Sequence, residues 1–154
     1  MNDIKIDPKK IKKMTEDLLD KIDSDARISV LPLKDGTIGV DIKTTDAQIL
    51  IGLNGETLRA IAHLLRVMAR KAFGENVFIE VDVNDWLKKR RDYLRQMAVS
   101  SADDAALAQK EIILPPMNSY ERRIVHMELS DRRDVSTESR GYDAERRIVI
   151  RPAE

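Results

Sequence analysis

The chain of 154 residues has no cysteine, which removes disulfides, thiolate metal sites and thiol nucleophiles together and suits a reducing compartment. Aromatic residues make up only 4% of it, one Trp, three Tyr and two Phe, so any core must be filled by Ile, Leu, Val, Ala and Met. Neither sign of charge is in excess. With 27 Lys and Arg against 27 Asp and Glu, no overall field draws polyanions in, and affinity for nucleic acid has to be local. No apolar run approaches the roughly 20 residues of a membrane helix, and the first residues lack a signal-peptide stretch. A soluble cytoplasmic chain without membrane insertion is expected.

What is present is enough to fold. The 42% hydrophobic content supports one ordinary domain or two small ones. Although 35% of residues are charged, the apolar ones stay periodic, which argues for a solvated surface and against disorder. Asp7 before Pro8 reads as an N-cap with proline at the first helical position, followed by Ile11, Met14, Leu18 and Ile22 at helical spacing. Arg27 to Leu33 and Thr37 to Ile42 alternate on either side of Lys34-Asp35-Gly36, a hairpin signal, with Ile28, Val30 and Leu33 expected to face a core opposite Ile38, Val40 and Ile42. From Asp46 a short helix carries Ile49, Leu50 and Ile51 to a glycine turn. A second helix then bears Leu58, Ile61, Leu65, Met68 and Ala72, Phe73-Gly74 closes it, and Val77, Ile79, Val81 and Val83 alternate as a strand. The order is α-β-β-α-α-β.

Asn84 or Asp85 can cap a long helix with Trp86, Leu87, Leu94, Met97 and Ala98, which either continues or breaks near Ser100-Ser101. Ile112 to Leu114 reads as a short strand. After Pro115-Pro116, Asn118 with Glu121 forms a capping box for a helix from Ser119 to about Leu129. Val135, Thr137 and Ser139 alternate, Gly141 turns the chain, and Ile148, Val149 and Ile150 form the last strand.

Positive charge gathers in three places: Lys88, Lys89, Arg90, Arg91 and Arg95; Arg122, Arg123, Arg132 and Arg133 around His126; and Arg140, Arg146, Arg147 and Arg151. By composition alone such runs are solvated helix faces. In Gly52-Leu53-Asn54-Gly55, glycines at a helix-to-helix turn let a phosphate approach without meeting a Cβ, and the next helix's amides favour an anion. The spacing alone fits a glycine cap and turn equally well. Such a turn is expected to hold Asp at Gly52 and Gly55 without loss of fold. Arg122 and His126 stand four apart, which on a helix places guanidinium and imidazole on one face as phosphate donors. A surface arginine beside a packing histidine is the plainer reading of that spacing.

The α-β-β-α-α-β order with GxxG between consecutive helices resembles the type II KH domain, whose loop clamps single-stranded nucleotides. Leu53 and Asn54 depart from it, holding middle positions where basic residues often sit. The segment from Pro116 to His126, continued by Val135 to Gly141 and Arg146 to Arg151, resembles the R-three-H (Arg-x-x-x-His) domain. Both together, over roughly Asp25 to Pro152, resemble the bacterial Jag family, also called SpoIIIJ-associated, KhpB or EloR proteins. Longer members carry an N-terminal domain for which no counterpart is found. The resemblance implies an α+β fold: a KH-like domain at 1–83, a connecting helix at 84–109 and an R-three-H domain at 110–154. It further implies a post-transcriptional regulator that binds single-stranded RNA, with single-stranded DNA also open, linked to cell elongation, division or sporulation. RNA contacts fall to Gly52, Leu53, Asn54 and Gly55 and to Arg122, Arg123, His126 and Arg147. The partners it implies are a small KH protein or a second copy.

No cofactor or metal site is indicated, and catalysis is not expected. His63 has no nucleophile or metal spacing about it, and His126 beside Glu121 or Asp131 lacks a second catalytic group. The alternative is a protein-interaction module with weak or lost RNA binding, in which Trp86, Tyr93 and the KH helices serve partners. The neutral charge and Leu53-Asn54 favour that alternative.

Overall fold

A computed structural model of the chain describes residues 6–22, 24–33, 36–74 and 76–153, and divides it into two compact units, Met1–Leu87 and Lys88–Glu154. The Lys34-Asp35 part of the expected hairpin turn lies outside the described residues.

In the first unit, α1 (Pro8–Asp20) starts where Asp7 accepts the Lys9 N–H at 2.9 Å. Its innermost line is Ile11, Thr15 and Leu19, with Met14 and Leu18 partly buried beside it. Thr15 tolerates burial because its hydroxyl donates to the Ile11 carbonyl at 2.9 Å. Ile22 does not extend this face. The helix stops at Asp20, and Ile22 is exposed.

Strands β1 (Ala26–Pro32) and β2 (Ile38–Thr44) are antiparallel, with Ile28 opposite Ile42 and Val30 opposite Val40. β3 (Ile79–Val83) runs parallel to β2, giving the order β1-β2-β3. α1 and α3 (Glu56–Phe73) cover one face. Leu33, expected in the core, is exposed, and its side chain lies over Gly39. The cause is parity: Ile28 and Val30 point inward, so Leu31 and Leu33 belong to the other face. Between β2 and α3 come α2 (Ala47–Ile51), in which Leu50 is buried but Ile49 exposed, and one 3-10 turn, Leu53–Gly55. α3 buries Leu58, Ile61, Ala62, Leu65 and Ala69, and ends at Gly74 with φ of 77°.

α4 (Trp86–Ala108) runs unbroken through Ser100-Ser101. The Leu87 N–H at its start donates to Asp82 Oδ1 at 3.0 Å, and Trp86 and Leu87 pack on the first core. Ala98, Ala102 and Ala105 are buried in the second. That second unit adds β4 (Ile112–Ile113), α5 (Ser119–Glu128), β5 (Val135–Arg140) and β6 (Arg147–Pro152), in an antiparallel sheet of order β4-β6-β5. Ile148, Val149 and Ile150 of the central strand are all buried. Both units are therefore α+β, and both cores are nearly all aliphatic.

The charged side chain most deeply placed in this unit is Glu121, 3% exposed. It accepts the Asn118 N–H at 3.1 Å while its own N–H donates to Asn118 Oδ1 at 3.0 Å, completing the capping box. Arg90 Nε, from α4, donates to its other carboxylate oxygen at 2.8 Å. Glu121→Ala keeps the Asn118 cap on the residue-121 N–H but leaves the Asn118 N–H without its acceptor and the half-buried Arg90 guanidinium unpaired, so a total loss of about 2–4 kcal/mol is expected. Hydrogen exchange of the α5 amides should rise accordingly, with Glu121→Gln intermediate; unchanged protection would show that the pair is not what holds the helix.

Candidate nucleic-acid interface

At the glycine turn Gly52 has φ of 71°, Asn54 of 50° and Gly55 of 78°, all in the left-handed region. The Gly52 N–H closes α2 on Gln48 at 2.9 Å. Gly55 sits directly beneath the Trp86 indole: a Cβ there would fall onto Cη2 and lie 2.7 Å from Cζ3. A Cβ on Gly52 would collide with the Thr57 side chain and approach the Thr57 amide nitrogen to 2.9 Å. The expectation that Asp is tolerated at both positions is therefore corrected, because the turn is closed by its neighbours as well as by its dihedrals. What the turn presents outward is Leu53, 76% exposed, and Asn54; no side chain caps α3, whose Glu56 N–H donates to the Leu53 carbonyl.

Positive charge reaches this turn from one helical turn further on. Arg59 Nη1 donates to the Asn54 carbonyl at 2.9 Å. Arg59, His63, Arg66 and Arg70, spaced 4-3-4, form an exposed stripe along α3, and Arg66 Nε donates to the Ile79 carbonyl at 3.0 Å. The three basic groupings in the sequence all begin at or after residue 88 and miss this one. Its trace was the 4-3-4 spacing, legible once the helix is placed.

In the second unit, the phase set by Glu121 turns His126 toward β5 and Arg122 back toward the segment before α5. Arg122 Nη1 donates to the Met117 carbonyl at 2.7 Å, and His126 Nδ1 is hydrogen-bonded to the Thr137 hydroxyl at 2.7 Å. Ser139, two residues along the same strand face, accepts from Arg146 Nε at 2.9 Å, and the Arg146 carbonyl accepts the Met117 N–H at 3.1 Å. Arg122 and Arg146 are thus joined through the Met117 backbone, and Arg146 to Ser139, while His126 is held by Thr137 on the same face of β5; together they form one polar band. In the sequence Thr137 and Ser139 show only as strand alternation, and Arg146 only as part of a charge cluster. Arg123 is exposed on an adjoining face of α5, whereas Arg147 donates to the Glu145 carbonyl at 2.9 Å and pairs with its carboxylate.

Most other arginines of this unit are neutralised. Arg132 pairs with Asp103 and Asp134, Arg140 and Arg151 share Glu111 and Glu138, and Arg95 meets Glu128. Hydrogen bonds from Arg151 and Arg140 hold the Glu111 carboxyl below its ordinary range, and Arg132 does the same for Asp134. Among the described residues, Arg122, Arg123 and Arg146 have no carboxylate at ion-pair distance.

Burial, and then the charge of Arg122, push the His126 imidazole below its ordinary 6.5. The ring is consequently neutral at pH 7. Thr137 orients it in either tautomer and leaves Nε2 for a ligand. With the folded value depressed, the folded form takes up a proton less readily, so this group's contribution to stability is intact above about 6.5 and is lost as pH falls through the folded value. A pH titration by NMR should find the His126 ring titrating below 6.5; a midpoint above that would restore the imidazolium as the phosphate ligand. For the glycine turn, Gly55→Ala should cost about 1–2 kcal/mol from the left-handed backbone alone and should shift Trp86 fluorescence. A fully stable variant with an unmoved spectrum would show that the turn yields easily.

A KH-domain family model matches residues 10–89 of this chain, and an R-three-H-domain model matches residues 92–152. Both are nucleic-acid-binding domains. The chain is similar to the RNA-binding protein KhpB of Lactiplantibacillus plantarum, 32% identical over 111 residues, which are 72% of this chain and 34% of that protein. It is 34% identical over 116 residues to the RNA-binding protein KhpB of Bacillus subtilis, 74% of this chain and 56% of that one. With the RNA-binding protein KhpB of Clostridium symbiosum the identity is 30% over 113 residues, 73% and 51% of the two chains. The chain therefore spans between about a third and just over half of the length of these relatives.

Proposed function

The chain belongs to the KH-domain family and, through its R-three-H domain, to the KhpB (Jag) proteins, and on that premise we propose that it binds single-stranded RNA by its sugar-phosphate backbone. The observation that carries this reading is the sorting of the arginines. In the second unit Arg132, Arg140 and Arg151 are occupied by carboxylates, while among the described residues Arg122 and Arg146 of the band with His126 are not, nor are the outlying Arg91, Arg123 and Arg133. Unpaired guanidiniums next to an oriented neutral imidazole are donors awaiting anions. The KH turn offers a second, smaller set: Asn54 and Arg59 at the start of α3. Two modest sites on one chain gain by tethering, since the second contact becomes intramolecular. Post-transcriptional regulation in the cytoplasm belongs to the same proposal.

A second reading is favoured by the open face of the first sheet, where Leu31, Leu33 and Phe78 are exposed beside Gly39. An apolar group of this kind suits a protein partner, a small KH protein or a second copy of this chain. Phe78→Asp should then shift the oligomeric state or partner binding and leave RNA affinity unchanged.

The principal test is a salt series of RNA affinity. Arg122→Gln should weaken binding and lower the logarithmic salt slope by about 0.7 for one lost contact to a single strand. The paired Arg140→Gln should change neither. Equal effects from both would mean that only general charge matters. Asn54→Asp is the clean probe of the KH turn, because Asp tolerates the left-handed backbone found there, φ 50°. It should reduce RNA affinity with stability preserved; unaltered affinity would remove the KH turn from the interface.

A further inference from the structure

All three tyrosines of the chain lie in the second unit and all are more than half exposed: Tyr93 53%, Tyr120 57% and Tyr142 88%. Rings that could bury a large apolar area in an otherwise aliphatic core are instead left in water. Tyr93 is partly covered, with the Arg90 guanidinium over its ring at 5.5 Å. Among the described residues Tyr142 has neither a ring contact nor a hydroxyl partner.

The backbone beneath Tyr142 is nonetheless fixed. Gly141, at φ of 97°, folds the chain so tightly that a Cβ there would come within 3.0 Å of the Glu145 carbonyl oxygen and 3.3 Å of Arg146 Cα. The Glu145 N–H donates to the Tyr142 carbonyl at 3.0 Å, the Arg146 N–H donates to the Asp143 carbonyl at 3.3 Å, and Arg147 holds Glu145. This turn joins β5 to β6 and leads directly into Arg146, the outer member of the band running through Ser139 and Thr137 to His126. An exposed ring on a hydrogen-bonded turn, next to unpaired phosphate donors, is the pairing that single-stranded nucleic acid requires. Guanidinium and imidazole take the phosphates, and a π-face takes a base.

We infer that Tyr142 is a base-stacking platform of the R-three-H site, receiving a nucleobase of the strand whose phosphates meet Arg146, Arg122 and His126. The inference rests on the RNA-binding reading above and adds the part of the ligand it concerns: the base, taken by its face and so with little regard to sequence. The strand's affinity would then have two separable sources, one salt-dependent and one not.

The test uses the full chain with a short uridine oligomer carrying 2-aminopurine at internal positions, and the same oligomer made abasic there. Tyr142→Ala should weaken binding to the base-bearing strand by about 5-fold or more, the lower range for one stacked base, with an unchanged salt slope. It should quench 2-aminopurine less than the parent chain does, and should bind the abasic strand as the parent does. Tyr142→Phe should restore both affinity and quenching. Full affinity of Tyr142→Ala for the base-bearing strand would overturn the inference while leaving the phosphate site standing, and would point to a protein partner for the ring. Loss of binding by Tyr142→Phe as well would also overturn it, since the hydroxyl and not the face would be the contact. Failure of the parent chain to bind either strand would overturn the RNA reading itself.

Discussion

Glu121 is an acid held almost entirely out of water, and the geometry of the second unit follows from how that cost is met. A buried carboxylate carries a desolvation penalty of several kcal/mol. Here Arg90 Nε donates to one oxygen and the Asn118 N–H to the other. The same residue therefore begins α5 and ties it to α4. Because residues advance about 100° around a helix, starting α5 one position earlier or later would carry Arg122 and His126 off the face that meets Met117 and Thr137. The buried pair sets the phase, and the phase makes the donor band.

The first unit reaches a comparable result with a contact in place of a charge. Trp86 covers Gly55, and Thr57 fills the space at Gly52, so both glycines are required by what packs on them in addition to their positive φ. Rigidity of this kind matters for a phosphate site. A turn already held in one conformation loses little freedom when an anion arrives. Arg59, bonded to the Asn54 carbonyl, brings a cation to a turn whose middle residues supply none.

The chain's neutral balance does not set the character of its surface. Where carboxylates meet arginines, as around Glu111, Glu138 and Asp134, positive charge is cancelled locally. It survives along α3 and beside His126. A protein without a long-range field can in this way hold a polyanion at chosen points, with an affinity made of a few contacts and correspondingly sensitive to salt.

Much of this was legible in the sequence, because the determining physics was local. Asp7-Pro8 marked a helix start, Asn118 with Glu121 a capping box, alternating Val and Ile the strands, and Gly52 with Gly55 a turn between helices. The KH and R-three-H resemblances came from those local patterns, and the family matches bear them out. Other features needed contacts between residues far apart in the chain. Leu33 and Ile22 belong to apolar patterns yet point to solvent, since strand parity and a helix end are decided by what packs opposite. That Gly55 cannot accept a side chain depends on Trp86, thirty-one positions away, and that Arg140 is spent while Arg122 is not depends on where Glu111 and Glu138 fall. Periodicity fixes which residues share a face, whereas pairing, burial and the depressed imidazole of His126 are properties of distances that only the folded chain creates.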